Sequence, residues 1–231
     1  MKTKKLNKIL LIFVLCLLLL SGCSLFMTKG DEMEPQPQAL IEDGMNLLKK
    51  ERFLAAADTF QKLRDRYPYS RYAVLAELKQ ADALYLRGDY IEAVEAYKDF
   101  EMLHPKNEAV PYVIFQQGMC YYRQMKTLDR DQTPAMKAAQ TFQRLRQSYP
   151  QDKYSTQAEA RLIEAHGMLA GHEFYVGEFY FKKKQYKAAL GRFINLIKSF
   201  PDTGYHGSAM AYIKTCREKI AAEQEEAAKD K

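Results

Sequence analysis

Apolar positions recur at helical spacing along most of this chain, and one arrangement of them appears four times. Each copy sets an Ala, then an aromatic four residues on, an apolar residue at seven, an aromatic or His at eleven, and Pro directly after. The copies are Ala56–Phe60–Leu63–Tyr67–Pro68, Ala93–Tyr97–Phe100–His104–Pro105, Ala138–Phe142–Leu145–Tyr149–Pro150 and Ala189–Phe193–Leu196–Phe200–Pro201. Offsets of four, seven and eleven keep one face of a 3.6-residue helix pointing the same way. Ala lets a neighbouring helix approach closely, and the large residues fill the space between helices. Pro lacks an N–H donor and restricts the residue before it, so it ends each helix. Four copies at fixed spacing predict a repeat array in which each copy is the second helix of a helix pair.

The first helices follow from the segments between. Unit one runs from about Ala39 to Pro68, with Leu40, Ile41, Gly44, Leu47 and Leu48 on its first helix and a turn at Glu51-Arg52-Phe53. Unit two, about Ser70 to Pro105, has Leu75, Leu78, Ala81, Leu84 and Tyr85, then Arg87-Gly88-Asp89-Tyr90 with Gly placed to end a helix. Units three and four are longer. The extra residues of unit three are Lys126 to Thr133, a polar stretch that predicts a protruding loop. In unit four no Pro interrupts Ser155 to Lys184, which predicts one unusually long helix with Gly167 and Gly171 as its weak points. After Pro201 a last amphipathic helix carries Tyr205, Ala209, Tyr212, Ile213 and Cys216. The charged end from Arg217 is expected to cap the array and to fray, at 227–231 most of all. The expected fold is therefore an all-α solenoid of about five helix pairs.

The N-terminus does not fit the array. Lys2 to Lys8 are basic, and Ile9 to Leu20 form an apolar run of 12 residues. That is too short for a membrane-spanning helix, which needs roughly 20 residues, but it suits a secretory signal. Leu20-Ser21-Gly22-Cys23 follows directly and resembles the lipobox of bacterial lipoproteins. In that resemblance 1–22 is removed and Cys23 carries covalent lipid, the one non-protein group expected. Ser24 rather than Asp follows the Cys, which in such lipoproteins favours the outer membrane, on its periplasmic face. Residues 23–38, with Gly30, Pro35 and Pro37 and no helical periodicity, are expected to form a flexible tether.

Composition changes this picture little. The chain has 16 Tyr, 12 Phe and no Trp, so aromatic rings carry much of the inter-helix packing. A formal charge of +6 falls to about +2 once the four lysines of 1–22 are set aside, which gives no case for nucleic acid. Cys16 goes with the signal. Cys120 and Cys216 lie far apart in different helices and are expected to be buried free thiols. Enzyme chemistry finds no support either. There is no His-Glu-x-x-His, P-loop, Gly-x-Ser-x-Gly or spaced Cys pair, and His104, His166, His172 and His206 show no metal-ligand spacing. Glu225-Glu226 lie in the charged end, where no pocket could raise a pKa.

Small residue, aromatic, Ala, aromatic and Pro at these offsets resemble the tetratricopeptide repeat, with Gly44, Ala81 and Gly177 in its small-residue slot. Further segments narrow the resemblance. They are Arg66-Tyr67-Pro68-Tyr69-Ser70-Arg71-Tyr72, the loop Asp129-Arg130-Asp131 leading to Ala138-Ala139-Gln140-Thr141-Phe142, the run His172 to Tyr180, and Phe200-Pro201-Asp202-Thr203. With the lipobox, they make the chain similar over its whole length to the BamD (ComL/YfiO) family, lipoproteins of the β-barrel assembly machinery of Gram-negative outer membranes. The resemblance implies a non-enzymatic scaffold. Its units in 106–226 would dock an Omp85-type, BamA-like barrel protein, and those in 39–105 would meet nascent outer-membrane proteins; other assembly lipoproteins are implied partners. The family's basic contact to the barrel aligns with Lys183, within Lys182-Lys183-Lys184, where Lys in place of Arg weakens the case for a bidentate pair; the loop residues Asp129 and Arg130 are the other implied contacts. The substrate side corresponds to Tyr67, Tyr69, Arg71 and Tyr72, which could equally just pack the turn between units. The rival reading is a periplasmic tetratricopeptide lipoprotein that scaffolds another envelope complex, in cell-wall coordination or secretin and pilus assembly.

Overall fold

Each predicted second helix ends two residues before its Pro, and all four stop in the same way. The structure, a computed structural model, describes residues 36–229. The last residues before proline, Tyr67, His104, Tyr149 and Phe200, have φ between −127° and −138° and ψ between 54° and 60°. Each donates its N–H to the carbonyl four residues back, at 2.8–2.9 Å. Proline disfavours helical backbone in the residue before it, so the helix closes its last bond and leaves.

From Pro37 onward the chain forms one compact unit. Its helices are α1 Pro37–Lys49, α2 Phe53–Arg66, α3 Ala73–Arg87, α4 Tyr90–Leu103, α5 Val110–Arg123, α6 Thr133–Ser148, α7 Lys153–Lys182, α8 Tyr186–Ser199 and α9 His206–Lys229. Each packs chiefly on its neighbours in the chain, so the fold is an all-α solenoid. Among the described residues it holds four complete pairs, and α9 takes the place of a fifth first helix. The repeat residues are the core: Ala56, Phe60, Leu63, Ala93, Tyr97, Phe100, Ala138, Phe142, Leu145, Ala189, Phe193 and Leu196 are all at most 2% exposed.

The small residues of the first helices are seats for the rings of the second. A Cβ on Gly44 would meet the Phe60 ring at 2.4 Å, one on Gly118 the Phe142 ring at 2.4 Å, and one on Gly177 the Phe193 ring at 2.7 Å. Three of the connections inside pairs share one turn, with a left-handed residue at Glu51 (φ 56°), Gly88 (φ 94°) or Lys184 (φ 58°). Each is closed by the paired bonds of a Schellman motif, such as Gly88 N–H to Tyr85 and Asp89 N–H to Leu84.

Several expectations are corrected. Pro37 and Gln38 belong to α1 rather than to the tether, because Pro is favoured in a first helical turn. The charged end is helical through Lys229 rather than frayed, since its Ala, Glu and Lys residues are strong helix formers; 230–231 lie outside the described residues. The signal, Cys23 and the tether up to Pro35 also lie outside them. The long helix is Lys153–Lys182, so Lys183 caps it and Lys184 sits in the turn. Cys120 and Cys216 are free and buried, in different helices, as the sequence suggested. Burial pushes the Cys120 thiol up to about 12 and raises that of Cys216 as well.

Candidate partner-binding surfaces

The extra residues of unit three do not stand away from the body. Leu128 reaches α7 where Gly171 leaves room for it. A Cβ there would meet Leu128 Cδ2 at 2.9 Å and the hydroxyl of Tyr205 at 2.9 Å. Leu128 also offers its carbonyl to His172 Nδ1 at 2.6 Å. Gly171 is therefore a packing seat and not a weak point, whereas Gly167 has nothing near its Cβ position. The loop braces itself: Gln132 Nε2 donates to the carbonyls of Thr127 at 3.0 Å and Arg130 at 2.8 Å. Only the tip projects. Asp129 and Arg130 are exposed and pair with each other at 3.5 Å. The Thr127 hydroxyl, at 2.5 Å, and a backbone N–H hold the Asp129 carboxyl below its usual range.

The basic group lies farther along the same helix. Lys182, Lys183 and Lys184 are exposed at the α7–α8 turn. The negative end of the α7 dipole lies beneath them and favours cations there. Eleven residues separate Lys182 from Gly171, about 16 Å at roughly 1.5 Å per residue, so Leu128's anchor point is well removed from the lysines. Tyr175 and Phe179 are also exposed, two turns and one turn before Lys183 respectively, on the same face. Periodicity did not single them out, although two large aromatics opposite a buried face are the signal that could have.

Tyr67 to Tyr72 form the connection between units one and two, on the edge where second helices end. The four residues divide. Tyr67 and Tyr72 are half-buried against the core that includes Phe60, Leu63 and Ala76. Tyr69 is fully exposed, and the exposed Arg71 lies over the Tyr72 ring at 4.7 Å with a 2.6 Å bond to its hydroxyl. Tyr67 and Tyr72 thus pack the turn, and Tyr69 and Arg71 are the pair free to meet a partner. This edge and the lysine turn face opposite ways, because one follows a second helix and the other a first.

One polar cluster went unread in the sequence. Asp82 sits on the buried face of α3 directly after Ala81. It accepts from Tyr97 Oη at 2.8 Å, Tyr112 Oη at 2.7 Å and Lys79 Nζ at 2.8 Å. A carboxylate at a core position of an amphipathic helix is a signal the pattern did offer. Desolvation, then the charge of Asp82, raises both tyrosines above their ordinary range. With every donor satisfied, the cluster is a tie between units rather than a reactive site. Glu178, directly after Gly177, repeats it by accepting from Tyr212 at 2.9 Å. Among the described residues no group of three or more His, Cys, Asp or Glu is placed to hold a metal, and no helix is long and apolar enough to cross a membrane.

The chain is similar to known proteins over most of its length. The family model described as YfiO, an outer membrane lipoprotein, matches residues 33–231. The chain is 31% identical over 208 residues to the outer membrane protein assembly factor BamD of Rickettsia prowazekii (strain Madrid E), covering 90% of this chain and 82% of that protein. It is 27% identical over 202 residues to the protein of the same name from Vibrio cholerae serotype O1, covering 82% of each. It is 26% identical over 197 residues to that of Neisseria meningitidis serogroup A, covering 81% of this chain and 74% of that protein.

Proposed function

The chain belongs to the YfiO family of outer membrane lipoproteins, and we propose that it is a non-enzymatic scaffold of the β-barrel assembly machinery. It helps outer-membrane proteins fold and insert, held on the periplasmic face of the outer membrane by lipid on Cys23. The observation that carries this reading is a family match spanning the whole solenoid, together with relatives named as assembly factors over most of their length. The physical form suits the task. A solenoid offers long edges, and the ties at Asp82 and Glu178 hold successive units in fixed register.

Within this reading Lys183 and its neighbours face an Omp85-type barrel protein, with other assembly lipoproteins completing the complex. Asp129 and Arg130 offer a second contact on the loop tip. Tyr69 and Arg71 receive segments of nascent outer-membrane proteins, through an exposed aromatic face and a guanidinium held over the Tyr72 ring. Depletion is the test. Loss of the protein lowers the amount of folded barrels in the outer membrane, and Cys23→Ser releases it from membranes. Normal barrel levels after depletion would remove the assembly role, and membrane retention of the unlipidated variant would remove the anchor.

A further inference from the structure

The aromatic pair before the lysine turn sits where the array elsewhere covers its first helices. Two residues after the seat, units two and three carry Ala83 and Cys120, both 0% exposed. Ala83 packs in the core of unit one and Cys120 in the core of unit two. This position of a first helix is therefore the one pressed on the preceding pair. Unit four has Phe179 there, two residues after Gly177, and it is 51% exposed. Tyr175, one turn earlier, is 47% exposed, where the other units have Glu42, Lys79 and Gln116.

The length of α7 explains the bare face. Ala158, Leu162, Ala165 and Leu169 pack on the core of unit three, whereas Ala170 belongs to the core shared with α8 and α9. Phe179 lies ten residues past Leu169, about 15 Å farther along the axis, so unit three no longer backs it. The loop of unit three covers only the near part, where Leu128 meets Gly171 and His172. Charge on this face has one sign. Residues 182–187 hold four Lys and no Asp or Glu. The carboxylates on this half of α7 are engaged with α8 and α9, Glu173 with Arg192 at 3.2 Å and Glu178 with the Tyr212 hydroxyl at 2.9 Å. In the loop, Asp129 pairs with Arg130 at 3.5 Å and Asp131 accepts from the Thr133 hydroxyl at 2.7 Å.

We propose that the bare face of α7 from Tyr175 to Lys183 takes a protein surface of apolar side chains flanked by carboxylates, which stands in the place of a preceding helix pair. Tyr175 and Phe179 anchor it, and Lys182, Lys183, Lys184 and Lys187 select its charge. Exposed ion pairs contribute little on their own, so burial of the two rings holds the contact while the lysines orient it. A position that units two and three bury against protein favours a protein occupant over a lipid surface. The inference rests on the reading that Lys183 faces the barrel protein, and it gives that contact its apolar anchor.

The test isolates the lipidated full chain from outer membranes and measures how much Omp85-type barrel protein accompanies each variant at low and at high salt. Tyr175→Ser with Phe179→Ser, both at exposed positions, weakens the complex at least about tenfold at both salt levels, with an unchanged thermal melt. Tyr175→Phe with Phe179→Leu retains it. The loss caused by Lys183→Glu shrinks at high salt, because salt screens that contact and not the aromatic one. A serine pair that keeps the complex, with Lys183→Glu still disrupting it, would overturn the inference and leave the proposed function standing. So would a serine pair that keeps the complex but abolishes binding of the chain to vesicles of phosphatidylglycerol and phosphatidylcholine, which assigns the face to lipid. Absence of the barrel protein from the wild-type complex would remove the proposed function, and this inference with it.

Discussion

Units two and three place a ring in the same seat and satisfy it in opposite ways. In unit three Phe142 presses on Gly118, close enough that a Cβ there would lie 2.4 Å from the ring, and Met119 follows the glycine. In unit two the seat is Ala81, the ring is Tyr97, and the next residue is Asp82, which takes the Tyr97 hydroxyl and that of Tyr112 from the following unit. One solution is close apolar contact. The other brings a carboxylate into the core and uses it to fix the next unit. Apolar contact specifies position only through shape, whereas the hydrogen-bonded tie also specifies register.

The largest effect that separates the two is the loss of a ring. Phe142→Ala leaves a cavity in a fully buried site and is expected to cost about 3–5 kcal/mol in urea unfolding. Asp82→Ala leaves two tyrosine hydroxyls without their acceptor and is expected to cost about 2–3 kcal/mol. A value near zero would mean that the tie is ornamental. The tie also predicts a pH dependence that the apolar contact of Phe142 with Gly118 lacks. Tyr97 and Tyr112 ionise at higher pH folded than unfolded, because burial and Asp82 disfavour their charged forms. Their contribution is complete below the ordinary tyrosine value of 10.0 and is lost as pH rises through the raised folded values. The stability difference between the wild type and Tyr97→Phe should therefore shrink above that pH, and a constant difference would count against the tie.

The smallest effects sharpen the comparison by their sign. Gly→Ala within a helix ordinarily stabilises by up to about 1 kcal/mol, and Gly167→Ala, with nothing near its Cβ position, should do so. Gly118→Ala should instead destabilise by about 1–3 kcal/mol, because the Phe142 ring must move. Thermal melts of the two variants, moving in opposite directions, would confirm that the seat and not helix propensity decides.

The repeat core was legible because helix packing is periodic: Ala56, Phe60 and Leu63 recur at fixed offsets for the same reason that they touch a neighbour. The long α7 was legible from the absence of Pro. Leu128 was not, because it is one apolar residue in a polar loop and its seat at Gly171 lies more than forty residues later. Gly171 looked like a helix flaw for the same reason, since nothing local shows what approaches it. Of the candidate sites, the lysine turn and the tyrosine turn came from the family resemblance, not from the pattern of the residues themselves. Their division into packed and projecting members, with Tyr67 and Tyr72 inward and Tyr69 and Arg71 outward, depends on contacts between units and had to be seen. Irregular spacing thus has two meanings here, a clasp at Leu128 and an open surface at Lys183.

The central claim is a rigid scaffold with separate partner surfaces at its two edges. It is tested most directly by isolating the lipidated full chain from outer membranes and measuring how much Omp85-type barrel protein accompanies the wild type, Lys183→Glu, and Tyr69→Ala with Arg71→Glu. The account predicts that the barrel protein co-elutes with the wild type, that Lys183→Glu weakens the complex at least about tenfold, and that the tyrosine-turn variant retains it. Absence of the barrel protein from the wild-type complex, or equal loss from both variants, would contradict it.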